Sequence, residues 1–308
     1  MSGIRLGVDL GGTKTEIIAL DPGGHELLRR RVDSPQADYH ATIETVAGLV
    51  TWAEEQLGTR GRVGVGTPGA LSRATGTIKN ANSTWLNGQP LHRDLEDRLD
   101  RSVRVANDAN CFALSEATDG AAAGAGVVFG VIAGTGTGAG IVVDGRVLTG
   151  PNAIAGEWGH NPLPWPLPAE TPGPACYCGR SGCIETFLSG PGMAADHARA
   201  TGVERDARAI AEGAAAGDAD CRATLHRYVH RMARALAHVI NLLDPEVIVL
   251  GGGMGNIADL YELVPRVWSH FVFSDRVDTR LVAPVHGDSS GVRGAAWLWP
   301  GEAGICEN

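Results

Sequence analysis

The sequence predicts an α/β chain made of two halves of like architecture. Three observations lead to this reading. Each half opens with an apolar strand, a turn rich in glycine and threonine, and a β-hairpin. Amphipathic helical spacing follows in each. The length, 308 residues, suffices for two domains with a sizeable core. The duplication is one of architecture, not of sequence identity.

The elements follow in order. Ile4–Asp9 alternates in polarity and runs to Gly11-Gly12. Thr15–Leu20 is β-branched and apolar, and Glu26–Val32 follows the Pro22-Gly23-Gly24 turn. This is strand, turn, strand, turn, strand. In Tyr39–Leu57 the residues Ile43, Val46, Ala47, Val50 and Ala53 recur at helical spacing. Arg62–Thr67 is a strand closed by Pro68-Gly69. Arg104-Val105-Ala106 is a short strand ahead of a helix starting near Ala109. The second half repeats the pattern: Val127–Ala133 is a strand, Gly134–Gly138 a turn, and Ala139–Val143 with Arg146–Thr149 a hairpin around Asp144-Gly145. Helical patterns cover Asp206–Ala216 and Asp220–Leu243. Val247–Leu250 is a buried strand, and Ser290–Trp299 a closing helix. Only Gly150–Gly190 departs from this grammar, being rich in Pro, Gly and Cys. A long irregular stretch inside a compact domain is usually functional or held in place by something.

Composition removes several function classes. Hydrophobic residues make up 44%, as in soluble globular proteins, and the net charge of −9 opposes a binder of nucleic-acid backbones. No run of 18 apolar residues suggests a membrane span, and no signal-peptide pattern opens the chain, so a cytoplasmic location is expected. Six cysteines are too few for a disulfide scaffold. Three of them, Cys176, Cys178 and Cys183, cluster, which points to metal before disulfides.

Three glycine-rich turns are candidates for phosphate. In Asp9–Thr15, Gly11 and Gly12 allow backbone N–H groups to approach phosphate oxygens, Thr13 and Lys14 add a hydroxyl and a charge, and Asp9 is placed to hold hydrated Mg²⁺. Gly134-Thr135-Gly136-Thr137-Gly138 offers the same chemistry in the second half. Gly251-Gly252-Gly253 follows a strand ahead of an expected helix, where N–H groups can seat a nucleotide. None matches the P-loop or the dinucleotide fingerprint. Asp108, at a strand end, suits a general base for phosphoryl transfer, and equally a helix N-cap. Cys176-x-Cys178-x4-Cys183 with His160 16 residues upstream offers three thiolates and one imidazole, the donors of a tetrahedral zinc set.

Together, Asp9–Thr15, Gly134–Gly138 and Val247–Met254 resemble the phosphate and adenosine segments of the sugar kinase, actin and heat-shock chaperone ATPase superfamily. Within it the chain resembles the ROK family from Ile4 to about Pro300. Its bacterial fructokinase/mannokinase branch is matched at Asn80–Gly88, Asn107–Asn110, Gly156–Pro162 and Cys176–Gly179. The resemblance implies two ribonuclease-H-like lobes over a cleft. The first would be residues 1–120 completed by a C-terminal helix at about 290–308, and the second residues 121–289 with a zinc-binding segment at 150–190. It implies ATP and a hexose as substrates, Mg²⁺ and structural Zn²⁺ as cofactors, and a homodimer. Asp108 falls on the family's base. Asn82, Asn107, Glu157, His160 and Glu185 fall on hexose-binding positions, although Asn82 alone reads as a turn residue and the two glutamates as solvated loop charges. His160, Cys176, Cys178 and Cys183 fall on the zinc ligands, so His160 would serve zinc and sugar together.

The branch resemblance implies fructose, phosphorylated at the 6-hydroxyl, with slower use of mannose or glucose. N-acetylglucosamine kinases resemble the chain elsewhere but differ around Asn82–Gly88 and Glu157–Pro162. Trp85 and Trp158 could fill the space an N-acetyl group needs, or simply pack in the core. The alternatives are an N-acetylglucosamine or N-acetylmannosamine kinase or a glucokinase. A ROK repressor is disfavoured, since a strand starting at Ile4 leaves no room for a winged helix ahead of it.

Overall fold

The structure, a computed structural model, describes residues 3–287 and 290–299. Its first sheet contains β1 (Arg5–Leu10), β2 (Lys14–Leu20), β3 (Glu26–Asp33) and β4 (Arg62–Thr67). After a small hairpin of β5 (Ala70–Leu71) and β6 (Ile78–Lys79), β7 (Val103–Asn107) completes the sheet, in the order β3-β2-β1-β4-β7. The second sheet contains β8 (Val127–Ala133), β9 (Thr137–Val143), β10 (Arg146–Val147), β11 (Val247–Gly251) and β12 (Arg280–Val282), in the order β10-β9-β8-β11-β12. The two orders are the same. In each, the first three strands pair antiparallel and the next two add in parallel. The duplication expected from the sequence is present in the topology.

Helix α1 (Tyr39–Leu57) lays Ile43, Val46, Ala47 and Val50 on the first sheet. Asp38 caps it by accepting from the Ala41 N–H at 2.9 Å, and Gly58, at φ 63°, ends it in the left-handed conformation. Helix α2 (Leu91–Leu99) adds Leu91 and Leu95 to the same core. In the second half α5 (Gly190–Thr201), α6 (Ala207–Ala216), the 25-residue α7 (Ala219–Leu243) and α8 (Leu260–Trp268) surround the larger core, and a single-turn α4 (Glu185–Leu188) precedes them.

Two helices join the halves. α3 (Asp108–Thr118) follows β7 directly, yet Phe112, Ala113, Leu114 and Ala117 pack on Val128, Val142, Val247 and Val249 of the second sheet. α9 (Ser290–Trp297) crosses the other way and sets Val292 and Ala296 on Ile18 and Leu20 of the first sheet. The lobe boundary expected near residue 120 therefore lies just past a helix whose apolar face belongs to the second sheet. α3 and α9 touch backbone to backbone, because a Cβ at Gly294 would run into the Cys111 carbonyl. The closing helix expected as far as 308 ends at Trp297, and residues 300–308 lie outside the described residues. No described helix is long and apolar enough to cross a membrane.

Candidate active site

The Gly134–Gly138 turn lies where two cavities meet. A cavity of about 840 Å³ is lined by Pro191, Ala194, Ala207, Ala211, Met254 and Gly253, with Asp206, Arg208 and Glu212 among its polar residues. A smaller one, about 220 Å³, contains Asn82, Asn107, Asp108, Glu157, His160 and Glu185. Gly134 and Thr135 line both, so an extended molecule in the larger cavity can present one end to the smaller. The larger cavity is mostly apolar and accommodates a flat heterocycle. The smaller is ringed by carboxylates and amides suited to hydroxyl groups.

Asn107 ends β7 and caps α3. Its carbonyl oxygen accepts from the Ala109 N–H at 3.0 Å, and its amide donates to the Gly69 carbonyl at 2.9 Å. The capping role that the sequence left open for Asp108 thus belongs to Asn107. Asp108 accepts from the Ala109 N–H at 2.8 Å and points into the cleft. Its carboxyl is open to the cleft, yet protein crowds it on its other sides. Burial pushes its pKa above the usual carboxylate range, and the Glu157 charge adds to this. Asp9 stands at the end of β1, with no hydrogen-bond partner among the described residues. Burial and the charges of Asp108 and Glu16 raise its pKa to about 7, against the lowering effect of Arg31. Gly66 and Gly291 leave it room: a Cβ on either would stand 3.7 and 3.3 Å from its carboxylate oxygens. An unpaired carboxylate with open space and a second carboxylate nearby fits a hydrated divalent cation.

Glu157 and His160 are placed by close backbone packing. A side chain at Gly156 or Gly159 would collide with the Ala139 or Thr137 carbonyl of β9. The segment between them therefore lies flat on that strand. Glu185, first residue of α4, accepts from the Thr137 N–H at 2.8 Å. The side chains of Asn82 and Glu157 have no protein partner among the described residues and are available to a ligand. Tyr177, which the sequence analysis did not single out, also lines this cavity. Of the two readings the sequence left open for Trp85 and Trp158, pocket filling or core packing, the structure gives packing; neither lines this cavity. Trp158 is 5% exposed and packs edge-on against Phe129, and Trp85 packs against the core of the first lobe. Trp158 is a core residue and Trp85 is half-buried against the core of the first sheet.

His160, Cys176, Cys178 and Cys183 bring one ligand atom each to within 4.8 Å of one another. Cys178 and Cys183 sulfurs are 3.6 Å apart, and Cys176 sulfur is 3.6 Å from His160 Nδ1. Thiolates about 2.3 Å from a zinc ion stand roughly 3.7–3.8 Å apart at the corners of a tetrahedron, so the donor set fits zinc in kind and in spacing. A second fastening was not legible in the sequence. Glu170, 7% exposed, is held by Arg231 and Arg234 at 2.8 Å each, and Arg231 also pairs with Asp196 at 2.9 Å.

Other expected residues lie apart. Gly11, Gly12, Thr13 and Lys14 line neither cavity. The Lys14 ammonium pairs with Asp33, its register partner across β2 and β3, instead of facing the cleft. Of the third turn only Gly253 reaches the larger cavity. Gly251 packs on Phe112, where a Cβ would come within 2.6 Å, and Gly252 makes a tight turn at φ 77°. A 3₁₀ turn, Gly253–Asn256, follows in place of the expected helix.

A family model described as "ROK family" matches residues 5–302. An N-acetyl-D-glucosamine kinase of Vibrio vulnificus is 38% identical over 296 residues, 95% of this chain and 98% of the relative. The crystal structure of a ROK hexokinase from Thermus thermophilus superposes with a TM-score of 0.84 at 32% identity, covering 95% of this chain and 96% of that one. A ROK family glucokinase from Streptomyces griseus, solved with glucose and AMPPNP, gives 0.77 at 27% identity, covering 96% and 99%.

Proposed function

The chain belongs to the ROK family, and from that premise we propose that it is an ATP-dependent hexose kinase whose preferred sugar is N-acetyl-D-glucosamine. The observation that carries the sugar is the identity, over nearly the full length of both chains, with a protein named as a kinase of that sugar. The fructose expectation rested on the resemblance of Asn82–Gly88 and Glu157–Pro162 to the fructokinase/mannokinase branch; pocket filling by Trp85 and Trp158, which would give it a physical reason, is not supported, since both pack on the cores.

The proposed chemistry follows from the site. We take residues 1–120 with α9 as the first lobe and 121–289 as the second. The nucleotide base lies in the larger cavity and its phosphates pass Gly134 and Thr135 toward the smaller. Asn82, Asn107, Glu157, His160 and Glu185 hold the sugar hydroxyls. Asp108, whose raised pKa brings it nearer neutrality, accepts the proton of the attacking hydroxyl as its oxygen bonds to the terminal phosphorus and ADP leaves. Asp9 would hold hydrated magnesium, which when bound offsets the negative charge of the phosphates. The cluster at His160, Cys176, Cys178 and Cys183 would hold zinc with all four positions filled by protein, a structural arrangement.

The test compares kcat/KM for N-acetylglucosamine, fructose, mannose and glucose under one set of conditions. N-acetylglucosamine should rank first. Fructose ranking first would remove the sugar assignment and leave the kinase. Absence of phosphorylation for every hexose would remove both.

A further inference from the structure

Tyr177 lines the same cavity as Glu157, His160 and Glu185. Its turn is closed by the Cys176 N–H on the Arg180 carbonyl at 2.7 Å and the Gly179 N–H on the Cys176 carbonyl at 3.0 Å. The backbone is held, but the side chain is 84% exposed. The hydroxyl meets His160 Nε2 at 2.9 Å, and the two rings cross edge to face with centroids 5.1 Å apart. The other ring nitrogen, Nδ1, faces Cys176 sulfur at 3.6 Å. A histidine that uses Nδ1 as the acceptor or ligand carries its proton on Nε2. With Nδ1 engaged by the metal set proposed above, His160 carries its proton on Nε2 and donates it to the phenol oxygen, and the phenol has no other hydrogen-bond partner among the described residues.

We propose that Tyr177 gates the sugar site: its hydroxyl takes the His160 Nε2–H while the cleft is empty and releases it to a sugar oxygen on binding. This rests on the reading of the chain as a hexose kinase. The phenol is tied down by this one hydrogen bond and one ring contact, so a ligand can displace it without disturbing the fold. The residue acts through His160 and is a positioning residue.

The experiment compares the wild-type protein with Tyr177→Phe and Tyr177→Ala. Kd for N-acetylglucosamine is measured by calorimetry, KM and kcat by ADP release, and zinc per chain by metal analysis. Removing a competing neutral hydrogen bond should tighten Kd and lower KM about two- to tenfold, with kcat within about twofold. Zinc content should stay unchanged in both variants. A weaker Kd in Tyr177→Phe would mean that the hydroxyl binds sugar directly, and an unchanged Kd would mean that it is idle. Either overturns the gate. Binding is read without turnover, so a protein that binds the sugar but does not phosphorylate it would sink the kinase reading alone.

Discussion

Asp9→Asn should stabilise the ligand-free protein at neutral and alkaline pH while removing turnover. Asp9 has a folded-state pKa of about 7, raised mainly by burial and then by the Asp108 and Glu16 charges, against an ordinary value of 3.8. A carboxyl whose pKa is raised on folding binds its proton more tightly in the native state. Between those two values the native protein carries more protons than the unfolded chain, and stability falls as pH rises. This is the reverse of a salt-bridged aspartate. Each pKa unit corresponds to about 1.4 kcal/mol, so the whole window costs roughly 4 kcal/mol, of which ~2–3 kcal/mol accrues between about pH 5 and pH 8. Asparagine carries no charge and escapes that cost. The assay is urea unfolding of both proteins at each pH, with zinc retained and magnesium and nucleotide omitted. Every other titrating group is common to both and cancels unless it is coupled to Asp9. The asparagine variant's advantage should grow by about 2–3 kcal/mol from the lower to the higher pH. An advantage flat to within about 0.5 kcal/mol would show that Asp9 is solvated like a surface carboxylate, and the burial argument would fail.

Three further outcomes are expected. Asp108→Asn should retain sugar binding and lose turnover by on the order of 10²–10⁴-fold, and turnover within about threefold of wild type would refute its role as base. Protein purified without chelator should carry about one zinc per chain, and Cys178→Ser should lower zinc content and thermal stability together; zinc-free protein, or stability unchanged after verified zinc removal, would reject the site. ATP analogue and sugar together should compact the molecule in small-angle scattering, since the smaller cavity is lined by Gly69, Asn80 and Asn82 on the side of the first sheet and by Gly134–Gly138 on that of the second; an unchanged radius under saturating ligands would argue against closure.

What the sequence disclosed, and what it hid, follows from the range of the interactions. The strands and hairpins were legible because alternation and turn glycines are local signals, and β1 to β4 fall within a residue or so of their expected positions. The cysteine and histidine cluster was legible because its three cysteines lie within eight residues of one another. Helix α5 was hidden by its own beginning. Gly190-Pro191-Gly192 reads as a chain of breakers, yet proline suits the first turn of a helix, and Ser189 caps it by accepting from the Gly192 N–H at 3.1 Å. The allegiance of α3 was hidden because it is decided by the second sheet, formed from residues further along the chain. Glu170 gave no signal either, since its partners Arg231 and Arg234 lie more than 60 residues away. The tryptophans stayed undecided between pocket and core, because bulk near a candidate sugar residue says nothing about which way an indole points.

These long-range fastenings determine which parts of the site move together. The segment from Gly156 to Glu185 is attached to the second lobe at three kinds of point: flat packing on β9, the cysteine and histidine cluster, and the Glu170 pairs with α7. Arg231 adds a fourth by lying over the Phe187 ring at 5.1 Å, beside Glu185 on α4. Glu157, His160, Tyr177 and Glu185 should therefore travel as one body with the Gly134–Gly138 turn. Asp9 and Asn82 belong to the first lobe and should change their distance from that body when the cleft closes. Asp108 stands between, at the point where the chain leaves β7 of one sheet and enters the helix packed on the other. A residue at such a crossing is displaced least by rotation of either lobe. That is where a group must sit if it is to hold its relation to a sugar gripped from one side and phosphates delivered from the other.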